Sequence, residues 1–136
     1  MHDVDQILKG MKVLLVDDTP ANIDVVKEVI SKEYLVMGAL SGAMALKIIE
    51  RKRPDLILLD IQLPVLSGYE VAERLKAEDR LRHIPVIAIT SYALSGDHDK
   101  ALAAGCDDYI AKPYKPQELM DCLARHLESA SSSDDD

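Results

Sequence analysis

The chain is 136 residues long, with 48% hydrophobic and 29% charged residues, which suits one packed domain and excludes a largely disordered chain. Sixteen Lys and Arg stand against 24 Asp and Glu, and a formal net charge of -8 argues against a general nucleic-acid binder, which needs clustered cations for phosphates. No apolar run is long enough to span a bilayer, Met1–Gly10 lacks the apolar centre of a secretory signal, and the two cysteines, Cys106 and Cys122, suit a reduced cytoplasmic protein.

Residues 1–10 form an N-terminal extension. Val4, Ile7 and Leu8 are spaced for a helical turn or two packed on the domain, and equally for a linker from a longer chain. Val13–Val16 is the first of five apolar runs without polar alternation, the pattern of strands buried on both faces of a parallel sheet. Thr19 with Pro20 reads as an N-cap and a proline at the first helical position, followed by a stripe of Ile23, Val26 and Ile30. Leu35–Met37 is the second strand, and Ser41 caps a helix carrying Leu46 and Ile49. Pro54 leads into Leu56–Leu59, after which Ser67 caps a helix with Val71 and Leu75. Pro85 leads into Val86–Ile89, and Ser95 opens a fourth helix ending near Gly105. Tyr109–Ala111 is the fifth strand, and Pro116 opens a fifth helix with Leu119, Leu123 and Leu127. The acidic, serine-rich stretch 129–136 reads as a disordered tail, which bounds the domain at 11–128.

Five strand–helix repeats predict a doubly wound α/β domain: a five-stranded parallel sheet with five helices on both faces. In such a sheet the residues just after the strands gather on one rim, where ligands bind. Those residues are Asp17 and Asp18 after strand one, Asp60 after strand three, Thr90 after strand four and Lys112 after strand five. Strand two ends in Ala39 and Leu40, with nothing reactive, which suits the strand order 2-1-3-4-5.

Three converging carboxylates repel one another, and a hard divalent cation such as Mg²⁺ or Mn²⁺ relieves this. With a cation there, a hydroxyl and an ammonium complete a site for a phosphoryl group, and a carboxylate can itself be the nucleophile. Asp60, on the central strand, is the best candidate for it. Each residue also has a plainer reading. Asp17 and Asp18 suit the N-terminal end of a helix, Asp60 a turn, Thr90 a strand end, and Lys112 before Pro113 a solvated turn. Their coincidence on one rim favours the chemical reading.

The stretches V-D-D at 16–18, P-D-L-I-L-L-D-I-Q-L-P-V-L-S-G at 54–68, I-A-I-T at 87–90, A-G-C-D-D-Y at 104–109 and K-P at 112–113 resemble the receiver domain of bacterial two-component response regulators. The resemblance runs across 11–128. Asn22 in D-D-T-P-A-N, and D-I-Q-L-P, are similar to small stand-alone regulators of the cell-division type and to the receivers of hybrid kinases. It implies that Asp60 accepts a phosphoryl group from the phosphohistidine of a histidine kinase or histidine phosphotransferase. It further implies Mg²⁺, with Mn²⁺ as substitute, on Asp18 directly, on Asp17 mostly through water, on Asp60 and on the backbone carbonyl of Gln62. Thr90 and Lys112 would hold the phosphoryl oxygens, Tyr109 would turn inward as a switch, and the Lys112–Pro113 peptide would be cis. Pro64 and Gly68 match the loop after the phosphorylation site, and Gln62, Ser91 and Tyr92 occupy positions that bear on the phosphate's access and lifetime. The output would be altered affinity for a protein partner at the face of helix four, strand five and helix five, without direct DNA or membrane binding. The chain is then a single-domain signalling phosphoacceptor rather than a turnover enzyme, or else the excised receiver of a hybrid kinase or multidomain regulator.

Three rivals fit less well, one of them a degenerate receiver that is never phosphorylated, against which all five key positions are intact. A Mg²⁺-dependent phosphatase with an aspartate nucleophile usually places an acid two residues on, where this chain has Gln62. A flavodoxin-like carrier would meet two negative charges in D-D-T-P and has no Trp to stack a flavin. Cys106 reads as a core filler, Cys122 as partly buried on helix five, and His2, His83, His98 and His126 form no ligand pair with one another at helical spacing.

Overall fold

The computed structural model of the chain describes residues 11–90, 97–112 and 114–133. Five strands, β1 (Lys12–Val16), β2 (Leu35–Ala39), β3 (Leu56–Asp60), β4 (Val86–Thr90) and β5 (Asp108–Ala111), alternate with five helices. The helices are α1 (Pro20–Ile30), α2 (Gly42–Lys52), α3 (Gly68–Ala77), α4 (Asp97–Ala103) and α5 (Pro116–Ser133). The strands form one parallel sheet in the order β2-β1-β3-β4-β5, as expected.

The pleat divides the core in two. Leu14, Val16, Ile57, Leu59, Val86 and Ala88 face α2, α3 and α4. Val13, Leu15, Leu56, Leu58, Ile87 and Ile89 face α1 and α5, where Ile23, Val26, Ile30, Leu119 and Leu123 meet them. The central strands β3 and β4 are buried throughout. The edge strands correct the expectation of burial on both faces: β2 is half exposed, with Leu35 56% exposed, and β5 buries only Ile110 fully. Cys106 is buried in the first core and Cys122 in the second, so the sheet separates the two thiols.

Local chemistry explains the helix ends. Ser41 Oγ accepts the Met44 amide proton at 3.1 Å, and Ser67 with Glu70 forms a reciprocal capping box. Thr19 occupies the N-cap of α1, but its side chain makes no capping bond there. The amides of Gly105 and Cys106 close on the carbonyls of Leu102 and Ala101, with Gly105 at φ 104°, a left-handed turn natural to glycine. The helix α5 runs to Ser133, past the boundary expected at 128, because an established helix adds one hydrogen bond per residue as it propagates. The extension 1–10, residues 134–136, the Ser95 cap, Ser91, Tyr92 and the Lys112–Pro113 peptide lie wholly or partly outside the described residues.

Between β3 and α3 the chain turns sharply. The Leu66 amide bonds the Pro64 carbonyl at 2.8 Å, and the intervening Val65, at φ 68°, is fully exposed. A positive φ in a γ-turn is strained for a β-branched residue. Three residues after Val65, Gly68 packs against the end of β3. A Cβ at that position would lie 2.4 Å from the Asp60 carbonyl oxygen and 2.7 Å from Ile61 Cα. Both neighbours are backbone, so nothing there can rotate away. Gly68→Ala is expected to cost about 2–3 kcal/mol through overpacking, read as a lower urea midpoint at unchanged slope; an unchanged midpoint overturns this reading of the contact.

Candidate functional site

The rim at the C-terminal ends of the strands brings together four of the residues expected there. One carboxylate oxygen from each of Asp17, Asp18 and Asp60 lies within 4.8 Å of the other two. Asp17 and Asp60 are buried, while Asp18 is exposed. Lys112 reaches in from the end of β5, its Nζ 3.7 Å from an oxygen of Asp17 and 3.7 Å from an oxygen of Asp60. Among the described residues, one ammonium thus stands against two of the three clustered carboxylates.

Backbone and side-chain donors orient the acids. Asp60 Oδ1 accepts the Gln62 amide proton at 2.9 Å. Asp17 accepts the Thr19 amide proton at 2.9 Å and an Asn22 side-chain proton at 3.2 Å. The local role allowed for Asp17, tying the start of α1, therefore coexists with its place in the cluster. Burial raises the Asp60 carboxyl above its ordinary range, the Gln62 amide and Lys112 pull it back, and the charges of Asp17 and Asp18 push it up again; the net direction is upward.

Thr90 ends β4 and is almost fully buried. Its carbonyl accepts the Lys112 amide proton at 2.7 Å, so the hydroxyl-bearing residue and the cation are linked through the main chain. The register pairs Ala88 with Tyr109 and Thr90 with Ala111. By alternation Thr90 and Tyr109 stand diagonally on the same sheet face, toward α4, where Tyr109 is half-buried against the core. Lys112 and Asp60 belong to the opposite alternation, toward α1 and α5.

Gly68, singled out in the sequence only as matching the loop after the phosphorylation site, allows the backbone of α3 to press on Asp60. A second support was missed. A cavity of about 570 Å³ beside α1 is lined by Asn22, Val25, Val26 and Tyr114, with Asp17 and Lys112 at its wall. Burial and the nearby Asp17 charge raise the Tyr114 hydroxyl. Neither residue's place in this cavity follows from its spacing.

This arrangement can hold a divalent cation on oxygen ligands and present an ionised carboxylate beside a cation and a hydroxyl. No helix among the described residues is long and apolar enough to cross a membrane. Comparisons with known proteins agree on one family. Residues 13–124 match the response regulator receiver domain. The polar-differentiation response regulator DivK of Brucella anthropi is 40% identical over 119 residues, 87% of this chain and 97% of its own length. The receiver domain of sensor histidine kinase PA1611 from Pseudomonas aeruginosa, solved with a magnesium ion coordinated in its active site cleft, is 40% identical at a TM-score of 0.82, covering 88% of this chain and 98% of that one. The chemotaxis protein CheY4 of Vibrio cholerae is 27% identical at a TM-score of 0.81, covering 86% and 98%. This chain belongs to the response regulator receiver domain family.

Proposed function

We propose that this chain is the phosphoacceptor of a two-component relay, that Asp60 takes a phosphoryl group from a phosphohistidine, and that the change is read by a protein partner. The observation that carries the proposal is the burial of Asp60 at the end of a central strand, with Asp17 and Asp18 oxygens within 4.8 Å and Lys112 at 3.7 Å. The donor is a histidine kinase or histidine phosphotransferase. The likeness to DivK favours a single-domain regulator, and the equal likeness to the PA1611 receiver keeps an excised hybrid-kinase receiver as the alternative.

In transfer, a carboxylate oxygen of Asp60 bonds to phosphorus, the phosphorus–nitrogen bond breaks, and the histidine nitrogen leaves with the electron pair. Oxygen donors at this spacing suit Mg²⁺, or Mn²⁺, on Asp17, Asp18, Asp60 and the Gln62 carbonyl. A cation held there would supply neutralising charge for the acids and the phosphoryl oxygens. The Gln62 amide holds the Asp60 carboxylate in place. Lys112 neutralises a phosphoryl oxygen, and the Thr90 hydroxyl donates to another. Because the Lys112 amide is bonded to Thr90, both respond as one unit. Their movement, with Tyr109 turning inward on the same sheet face as Thr90, alters the surface of α4, β5 and α5. The cavity beside α1 offers the donor a way to the rim. The chain works by stoichiometric transfer in the cytoplasm, without turnover of phosphate esters and without its own DNA or membrane contact.

Acetyl phosphate with Mg²⁺ is expected to add one phosphoryl group by intact mass, and Asp60→Asn to abolish the adduct; a persisting adduct moves the nucleophile elsewhere. Asp18→Ala is expected to weaken Mg²⁺ binding at least about tenfold, measured by titration, and an unchanged affinity refutes its role. Lys112→Ala is expected to keep metal binding yet lose phosphorylation-dependent partner binding. The raised Asp60 carboxyl also predicts a stability effect. A raised folded pKa favours the protonated group, so its stabilising contribution is present at low pH and lost as pH rises through that pKa. At neutral pH, in EDTA, Asp60→Asn should therefore melt a few degrees above wild type, with the gap narrowing toward acid. An equal or lower Tm at neutral pH contradicts this.

A further inference from the structure

At the start of β5, the opposite end of that strand from the acidic rim, lies a second group of dissimilar ligands. Asp108 opens β5, while Cys122 and His126 stand four residues apart on α5, on one helix face. A carboxylate oxygen, Sγ and a ring nitrogen from these three lie within 4.8 Å of one another. His126 Nε2 is 2.9 Å from Asp108 Oδ2, and Cys122 Sγ is 3.8 Å from the same oxygen. Asp108 Oδ1 is fixed separately by the Tyr109 amide at 2.8 Å. Oδ2 also accepts Arg125 Nη2 at 3.1 Å, so three donors crowd one oxygen. Cys122 is 3% exposed, while the side chains of Asp108 and His126 are 30% and 21% exposed, which opens one side to water.

We propose that Asp108, Cys122 and His126 form a second metal site, for a borderline-soft divalent cation of the zinc type. Thiolate, imidazole and carboxylate are the donors zinc takes, and the open side leaves a fourth position for water. Tetrahedral bond lengths of about 2.3 Å to sulfur and about 2.0–2.2 Å to nitrogen or oxygen set neighbouring ligand atoms about 3.3–3.6 Å apart. The observed separations to Asp108 Oδ2, 2.9 Å from His126 and 3.8 Å from Cys122, bracket that range, and the third pair, Cys122 with His126, lies within 4.8 Å. Arg125, which contacts the Cys122 sulfur as well as Oδ2, has its side chain 65% exposed and can leave both for solvent. Burial and the Asp108 charge push the Cys122 thiol up to about 11, so it is protonated until a metal displaces the proton. Uptake therefore forms a metal–sulfur bond and releases that proton to solvent, with no change of redox state. The hard-cation rim of Asp17, Asp18 and Asp60 has oxygen donors alone, so the two sites divide divalent ions by softness.

A bound ion would pin α5 to the first residue of β5, the strand that leads into Lys112. Cobalt(II) is the probe. The reduced full chain, in excess Mg²⁺, is expected to bind one equivalent with an intense thiolate-to-cobalt absorption band, which Zn²⁺ bleaches. The band should vanish in Cys122→Ser, persist in Cys106→Ser and Asp60→Asn, and need at least about tenfold more cobalt in His126→Gln. Circular dichroism checks that the serine variant folds, and if it does not, His126→Gln decides alone. A chain without the band, a band that survives Cys122→Ser, or unchanged affinity in His126→Gln overturns the proposal.

Discussion

Asp17 and Asp60 are buried at one rim, Asp18 stands beside them, and among the described residues Lys112 alone supplies positive charge to the cluster, at 3.7 Å from Asp17 and Asp60. This imbalance governs what the rim can do. Carboxylates so placed gain little from mutual proximity and hold an excess of negative charge against a low-dielectric core. The fold nonetheless holds them, because each follows a strand or turn fixed by packing elsewhere. The electrostatic cost is local, and the hydrophobic sheet beneath carries it.

The alternation of the strands then decides which partners face which side. Asp60 and Lys112 fall on the alternation that looks toward α1 and α5; Thr90 and Tyr109 fall on the one that looks toward α4. One tie between the two sides is the main-chain hydrogen bond from the Lys112 amide to the Thr90 carbonyl. On the proposed reading, that bond lets a charge added near α1 be felt at Tyr109. The same parity puts Asp108 with Lys112 and Ile110, so its carboxylate meets α5 rather than α4.

Much of this was legible in the residues. The five apolar runs located all five strands, with ends within two residues, and the blank end of strand two anticipated its place at the sheet edge. The rim residues were legible because parallel strands deliver their final residues to one side. Other features were not. The exposure of β2 follows from its lack of an outer neighbour, which its Leu-Val-Met composition does not announce. Thr19 looked like a capping side chain, but its hydroxyl donates to Asp18, while its amide is bound by Asp17. His126 was weighed only against other histidines, so its pairing with a cysteine one turn away and a carboxylate on a neighbouring strand went unseen. The cysteine, at i, i+4, was within reach of a spacing rule; the carboxylate on β5 is a non-local contact that no spacing rule contains.

The γ-turn at Val65 has an implication for which substitutions this loop tolerates. At most exposed sites, cutting a side chain back to nothing loosens the unfolded chain and costs stability. At Val65 the ranking inverts. The side chain touches nothing, since it is fully exposed, while its branched Cβ sits in a backbone region that disfavours it. Glycine or asparagine would relax that turn without emptying any packing. Variation that drifts toward greater thermal endurance should therefore run through the short residues here, and a chain that keeps valine carries a spring beside its most charged rim.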